Sequence, residues 1–555
     1  MEKKVSSALK HKKWRALING AFMSLLFMIL SVLPVNAIEV YKDSDTKVQW
    51  DNTIKYSAGY RLNSQDAGLT NDINTDDGNR DFNRGFISNR LDLYSEMDVT
   101  HRNFGLRVSG AGWVDSAYLG NNDNDSPGTF NGTGSNNQFA DDTKKLQGLK
   151  AELMDAFVFG SGQIASNPAS FRLGRHTLLW GETLYFATNG IAYGQAPLDF
   201  VKALGVPGTQ AKELFMPVAQ FSGQVQLVKD LTLAAYWQGE WRRSRVPASG
   251  SYFSDVDIFD AGGERLLLGP NSPGRPGPAF YRGGDLGAGN STSEFGEGNL
   301  DQFGTALRFR SEGLDTEFGI YYEHYNEKSP YWIYMDPTKA NYAIGKIGEY
   351  DLVFPKNVHM MGASFGTQFG AVNVSGEASG RFNTPLLSTA GVILPGTNAN
   401  NDDNPLYAVG NSFHANLSAI KLLSDSFLWQ GGNLVAEAGY VCLINTTKNE
   451  AALDPTRDNY ALGFRTVFEP AYYQVFPGID ITVPFGLGYN PKGRSPVDLK
   501  FNGGADAGGD FSVGLKVDYL QVWKFGLTYT NYFGSEDTQH LADRDFVTFS
   551  IQRTF

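Results

Sequence analysis

Hydrophobic and polar residues alternate with a period of two along much of this chain, in paired runs joined by short turns. Phe511, Val513, Leu515, Val517 and Tyr519 alternate with Ser512, Gly514, Lys516 and Asp518. Past Leu520-Gln521, Trp523, Phe525, Leu527 and Tyr529 alternate with Lys524, Gly526, Thr528 and Thr530. Such a period belongs to strands with one apolar and one polar face, and two runs about a tight turn predict a hairpin. The same grammar recurs about Val228-Lys229-Asp230, between Phe221–Leu227 and Leu231–Trp237, and about Glu312-Gly313-Leu314, between Phe303–Phe309 and Phe318–Tyr322. Nearer the start, Leu91, Leu93, Met97 and Val99 precede a turn at His101-Arg102-Asn103, and Phe104, Leu106 and Val108 follow it. The last run sets Val547, Phe549 and Ile551 against Thr548, Ser550 and Gln552 and ends on Phe555.

Between hairpins lie long polar segments, at roughly 63–84, 119–146, 242–300, 326–354 and 383–406. Short turns at one end and long loops at the other are the arrangement of an outer-membrane barrel, and structureless loops of this length argue against a compact soluble domain. The expected fold is therefore all-β, a transmembrane antiparallel barrel with apolar side chains toward lipid and polar ones toward the lumen. Strands of about 9–11 residues divide the chain into roughly 14–18, with about 16 as the central value. A barrel that wide either conducts or is plugged.

Composition agrees with export. Lys3, Lys4, Lys10, Lys12, Lys13 and Arg15 precede an apolar run, Ala21–Val35, and Val35-Asn36-Ala37 offers small residues at a cleavage site. Residues 1–37 read as a secretory signal peptide and 38–555 as the barrel. Of 47 Lys and Arg and 59 Asp and Glu, six and one fall in the signal, so the exported chain carries 41 against 58, net −17. That acidity argues against nucleic acid. The single Cys442, in the strand-like stretch 436–443, excludes an internal disulfide framework.

Two segments are candidates to occupy the lumen. Residues 183–217, after Trp180-Gly181-Glu182, are unusually apolar for a loop, with Leu184, Phe186, Ile191, Leu198, Phe200, Val201, Leu204, Leu214 and Phe215. Apolar side chains of this kind pack against something. Residues 242–300, rich in Gly and Pro with Tyr252-Phe253 and Phe280-Tyr281, fit a second plug or an extracellular lid. Trp180 and Glu182 are the expected constriction residues. On the polar faces, Glu96, Arg107, Glu240, Glu317 and Glu323 are the expected pore-lining charges, in a set that includes Asp92, Asp98, Arg308, Arg310 and Lys516. Opposed charges orient solutes in wide pores, although many serve only to solvate the interior and crosslink strands.

No catalytic signature stands out. His101, His176, His324, His359, His414 and His540 sit in no nucleophile elbow or metal-ligand spacing, so neither an enzyme nor a cofactor is expected. The runs Asn121-Asn122-Asp123-Asn124-Asp125 and 398–404, with Asp402-Asp403, carry oxygen donors but lack the spacing of a calcium loop, and no metal is assigned to them.

The terminal strand resembles the assembly signal of bacterial outer-membrane barrels, with Arg553 where an apolar residue is usual. A broader resemblance rests on Arg172-Leu173-Gly174-Arg175-His176-Thr177-Leu178-Leu179-Trp180-Gly181-Glu182, Asn189-Gly190, Val206-Pro207-Gly208, Lys212-Glu213-Leu214 and Met216-Pro217. Ser88-Asn89-Arg90-Leu91-Asp92-Leu93, Gln238-Gly239-Glu240-Trp241-Arg242, Tyr252-Phe253-Ser254 and Asp543-Arg544-Asp545-Phe546-Val547 extend it over the whole exported chain. Together they resemble a proteobacterial outer-membrane family, domain of unknown function 1302, associated with use of steroids, aromatics and other hydrophobic compounds. The resemblance implies an outer-membrane barrel, and together with the apolar loop it points to a Gram-negative outer-membrane channel for passive uptake of hydrophobic or aromatic small molecules. The alternatives are a general porin for small polar or anionic solutes and a component of an export or surface assembly. The partners implied are outer-membrane lipid and lipopolysaccharide, the barrel-assembly machinery at Phe555, and a small solute; the oligomeric state is left open. The family supplies no ligand residues to carry over.

Overall fold

The computed structural model describes residues 38–209, 211–287, 295–296, 300–401 and 403–555. The expected signal, part of the 242–300 segment and Asp402 lie outside the described residues. The strands close into one antiparallel barrel. In chain order they are β1 Thr46–Arg61, β2 Gly85–His101, β3 Phe104–Asp115, β4 Leu149–Ile164, β5 Asn167–His176 and β6 Val218–Val228. Then come β7 Leu231–Gln238, β8 Phe303–Ser311, β9 Thr316–Tyr325, β10 Val358–Phe369, β11 Val372–Pro385 and β12 Val409–Leu422. The last are β13 Gly431–Lys448, β14 Tyr460–Phe476, β15 in two pieces (Ile479–Thr482 and Phe485–Lys492), β16 Gly508–Tyr519, β17 Trp523–Phe533 and β18 Phe546–Thr554.

Eighteen strands thus form the wall, two more than the central expectation and at the top of its range. The undercount has a physical cause. In β11 the positions facing lipid are Val374, Gly376, Ala378 and Gly380, opposed by Ser375, Glu377 and Ser379, so the contrast between faces is slight. β15 is split at Val483-Pro484, where proline has no ladder N–H to give. β18 returns to β1 from Arg61↔Phe546 to Thr53↔Thr554, and Asn52 and Phe555 exchange two backbone bonds of 2.8 and 2.9 Å.

Turns of a few residues close one end, and nine long loops crowd the other, which is extracellular in barrels of this class. By number the loops used below are L1 62–84, L2 116–148, L3 177–217, L4 239–302, L5 326–357, L8 493–507 and L9 534–545. Leu93, Val158, Leu173, Phe221, Leu233, Phe309, Ile320 and Leu417 stand exposed on the outer face, as a lipid-facing band requires. Cys442 pairs with Phe413 on that same face. Arg553, the odd residue of the last strand, stacks 5.0 Å over Trp523, a contact that tolerates a cation beside an aromatic belt.

The loop end is capped. Arg265–Leu267 and Ala279–Leu286 of L4 join Trp332–Asp336 and Lys346–Val353 of L5, with Gly391–Val392 beyond, in a five-stranded sheet. Tyr252 and Phe253 of L4 stack edge-on around Phe82 of L1 and Phe546 of β18. The 242–300 segment is therefore, over its described residues, a lid.

Candidate functional site

L3 runs inside the barrel and touches its wall nearly all the way round. Trp180, Ile191, Tyr193, Leu198 and Phe215 form a buried cluster with Ala234 and Tyr236 of β7, Tyr321 and Tyr325 of β9, and Val358 and Met360 of β10. Across the lumen Phe186 packs with Val441, Ala461 and the L8 residue Phe501, its ring 5.3 Å from that of Phe501. Gly439 and Gly463 make this possible: a Cβ on either would lie 2.7 and 2.8 Å from the Phe186 ring. On the remaining side Lys55 of β1 donates to the Pro207 carbonyl at 3.3 Å, and Lys202 sits 5.1 Å over the Trp113 ring of β3 and 3.8 Å from Glu152 of β4.

Between His176 and Ile191 L3 has no regular structure, so its backbone N–H groups must find partners elsewhere, and leaving them bare where they are buried is costly. Here strand carboxylates satisfy them. Glu437 of β13 accepts from the Thr183 hydroxyl at 2.8 Å, from the Leu184 N–H at 3.1 Å, from the Phe186 N–H at 3.3 Å and from the Tyr185 N–H. Glu377 of β11 accepts from the N–H of Glu182 at 2.5 Å and of Ile191 at 2.9 Å. Glu323 of β9 accepts from Gln195 Nε2 at 2.5 Å, and Gln195 Oε1 accepts from the Trp180 N–H at 2.7 Å. Arg381 supplies the converse, donating to the carbonyls of Thr188 and Gly190 at 3.0 Å each. Neither Glu377 nor Glu437 is among the expected site residues. Their signal is a lone Glu among small residues, Ser375-Gly376-Glu377-Ala378 and Ala436-Glu437-Ala438-Gly439, where a loop backbone has room to approach.

The expected pore charges occupy different places. Glu96 and Arg107 are neighbours on the lumen face of β2 and β3, 3.9 Å apart, with Arg107 bidentate to Asp98 at 2.7 and 2.8 Å. Glu317 is exposed near the short-turn end of β9, and Glu182 faces it; burial first, then Glu377 and Glu317, push the Glu182 carboxyl above its ordinary value. Glu323 is fully buried beneath L3. Glu240 lies past the end of β7, accepting from the Ala219 N–H at 2.7 Å and from Arg175. Arg175 alternates in phase with the exposed Leu173, which sets this pair at the rim on the outer-facing side. Trp180 is buried, 5.1 Å from the Tyr236 ring and 6.0 Å from Tyr321.

Above L3, below the lid and against β14–β18, a cavity of about 430 Å³ remains. Its apolar lining includes Phe186, Phe200, Leu204 and Leu214 of L3 with Phe253 and Val256 of L4. Two cations face it, each with an acid. Arg465 of β14 pairs with Asp510 at 2.5 Å, and Lys500 of L8 pairs with Asp255. Burial pushes the Asp255 carboxyl up, but Lys500 and His540 outweigh it and hold the group below its ordinary value, so it stays ionised at neutral pH. A second space of about 680 Å³, between L2 and L4, is lined by five cations, Lys145, Lys150, Arg243, Arg245 and Arg282, and by as many carboxylates.

The family model described as protein of unknown function, DUF1302, matches residues 19–555. A search of curated protein sequences finds no significant match. Among solved structures, Acinetobacter baumannii OccAB4 aligns over 94% of this chain and 100% of its own at 10% identity, with a TM-score of 0.42. Pseudomonas aeruginosa OccK2 (OpdF), in complex with glucuronate, aligns over 92% and 98% at 9% identity and 0.39. Pseudomonas aeruginosa OpdK, with vanillate, aligns over 92% and 98% at 9% identity and 0.38. Likeness at this level says nothing of what this chain passes.

Proposed function

The chain belongs to the DUF1302 family, and from that premise we propose that it is a Gram-negative outer-membrane channel for passive uptake of hydrophobic or aromatic small molecules. The class favoured is amphipathic acids: aromatic, steroid-like or fatty. The observation that supports this is the cavity of about 430 Å³ between L3 and the lid, apolar over most of its lining, with Arg465 and Lys500 at its edge. Its size falls in the range of about 300–1,000 Å³ usual for small-molecule sites, and a few polar groups in an apolar lining are what orient such a ligand. The acid would bind with its hydrocarbon against Phe200, Leu214 and Phe253 and its carboxylate toward the two cations. Lipid and lipopolysaccharide surround the barrel, and the assembly machinery would read the strand ending at Phe555.

A second reading is a porin for small polar or anionic solutes, favoured by the 680 Å³ space, where five cations stand among as many carboxylates. Uptake of a labelled aromatic or steroid acid into liposomes carrying the refolded protein, beside planar-bilayer conductance, separates the two. Saturable acid uptake with small ionic conductance supports the first. Large open steps indifferent to the acid refute it in favour of the second.

A further inference from the structure

The loop cap holds a cluster of carboxylates that the solute path does not use. Asp76, Asp77 and Asp81 of L1 and Asp257 of L4 are all buried, Asp76 and Asp257 completely. Oxygens of Asp76, Asp77 and Asp257 lie within 4.8 Å of one another. Most of the cluster's other oxygens have donors. The Asp77 carboxylate accepts from the Asn131 N–H at 2.9 Å and from Asn124 Nδ2 at 3.3 Å, and Asp81 accepts from Asn124 Nδ2 at 3.1 Å. Asp257 Oδ2 accepts from the Asp77 N–H at 3.1 Å, and Asp76 Oδ2 is paired with Arg80. One oxygen on each of the two fully buried residues, Asp76 Oδ1 and Asp257 Oδ1, has no hydrogen-bond partner.

A buried carboxylate oxygen without a partner is costly, and buried charges are normally paired or bound to a metal. No cation nearby reaches either of these two oxygens. Arg80 holds Oδ2 of Asp76, and Arg544 spends its Nη1 on the carbonyls of Tyr252 and Ser254 at 2.5 Å each.

We propose that Asp76, Asp77 and Asp257 bind one calcium ion that clamps L1 to the lid. The donors are oxygens only, with no His or Cys among them, which selects a hard cation. Irregular loops from two parts of the chain suit the flexible coordination of Ca²⁺ better than the strict octahedron of Mg²⁺. Asn124, in the oxygen-rich run 121–125, braces Asp77 and Asp81 from the side. The ion would also bear on the solute cavity, because Phe253, Ser254, Asp255 and Val256 line it immediately before Asp257. This inference stands whichever solute the barrel passes.

The test uses the full-length barrel refolded in detergent without lipopolysaccharide and stripped with EDTA. Equilibrium dialysis against labelled Ca²⁺ should give one saturable ion per chain for the wild type and none for the double variant Asp76→Asn/Asp257→Asn. Thermal unfolding should reverse order. In EDTA the variant, relieved of repulsion, melts at or above the wild type; in millimolar Ca²⁺ the wild type melts higher. Hydrogen exchange of the wild type alone places the ion, with protection by Ca²⁺ expected around residues 74–82 and 250–260 and not in L8. No saturable ion in the wild type, retention of it by the variant, or protection elsewhere would each overturn the assignment.

Discussion

If strand carboxylates hold L3 across the lumen, Glu437→Gln should loosen the plug while leaving the wall intact. Glu437 is almost fully buried, and its two oxygens receive one hydroxyl and three backbone N–H groups from Thr183 to Phe186. Glutamine keeps one acceptor and turns an NH₂ toward donors that Oε2 now accepts from, those of Tyr185 and Phe186. Hydrogen bonds to a charged group are worth about 1.5–3 kcal/mol against roughly 0.5–1.5 for neutral ones, and an orphaned buried donor costs about 1–3. With water admitted to part of the lumen, about 3 kcal/mol is a fair figure for the loss of seating energy. At about 1.4 kcal/mol per tenfold, the ratio of displaced to seated loop rises on the order of 100-fold. The β12–β13 and β13–β14 ladders do not pass through this side chain, so heat-modifiable gel mobility should be unchanged. Single-channel recording reads the result as frequent opening events, or a larger mean conductance, in the variant. Equal event frequency and conductance in a correctly folded variant would mean that the carboxylate is not what seats L3.

Other outcomes follow from the same geometry. Arg465→Gln and Lys500→Gln should each weaken uptake of a hydrophobic acid roughly tenfold, about the worth of one charge-assisted hydrogen bond. They should spare a neutral analogue of the same size, and equal losses for both solutes would remove the carboxylate from the cation site. Glu317→Gln should shift the reversal potential of whatever ionic current flows, since that carboxylate is exposed in the lumen, whereas Glu240→Gln, at the rim beside Arg175, should not; the opposite pattern would reverse the two assignments. Lys328 of L5 is buried and donates to the Gly194 carbonyl of L3 at 2.9 Å, and burial lowers its pKa to about 8. The unfolded chain holds that proton up to its free value of 10.5, so stability rises as pH climbs from about 8 to 10. The ceiling is about 3 kcal/mol, partly offset as neighbouring Glu327 loses its cation. The rise should vanish in Lys328→Met, and a parallel rise in that variant would assign it to another group.

What the sequence disclosed followed from the demands of lipid. A strand facing hydrocarbon must be apolar at every second position, so hairpins such as Phe511–Tyr529 announce themselves, and the wide spacing between them gives the loop end. Where the outward residues are glycine and alanine, as in β11, that demand is met with little contrast and the strand goes unread. The lumen loop was legible for the converse reason, since so many apolar residues in one long connection need a place to be buried. Its anchors were not. Alternation says that Glu323, Glu377 and Glu437 point inward, but not whether water or a loop meets them there, because the partners lie more than a hundred residues away. Glu240 misled through a break in phase: counted on from Trp237 it falls on the polar face, but β7 ends at Gln238 and Gly239 redirects the chain.

The structure divides two tasks between two kinds of residue. Seating the plug is done by polar groups on strands, Glu323, Glu377, Arg381 and Glu437, which bind L3 largely through its main chain. On the proposed function, meeting the solute would fall to L3 side chains on the cavity face, Phe200, Leu204 and Leu214. Main-chain anchoring is indifferent to which side chains the loop carries, so the cavity can change shape without unseating the loop. Leu214→Ala should therefore alter which acids pass, through a pocket enlarged by about three methylene-sized groups worth roughly 0.8 kcal/mol each, and leave the opening frequency at the wild-type level. Glu437→Gln should do the reverse. If Leu214→Ala instead opened the channel as freely as Glu437→Gln, seating would depend on apolar packing as much as on the carboxylates, and the division would fail.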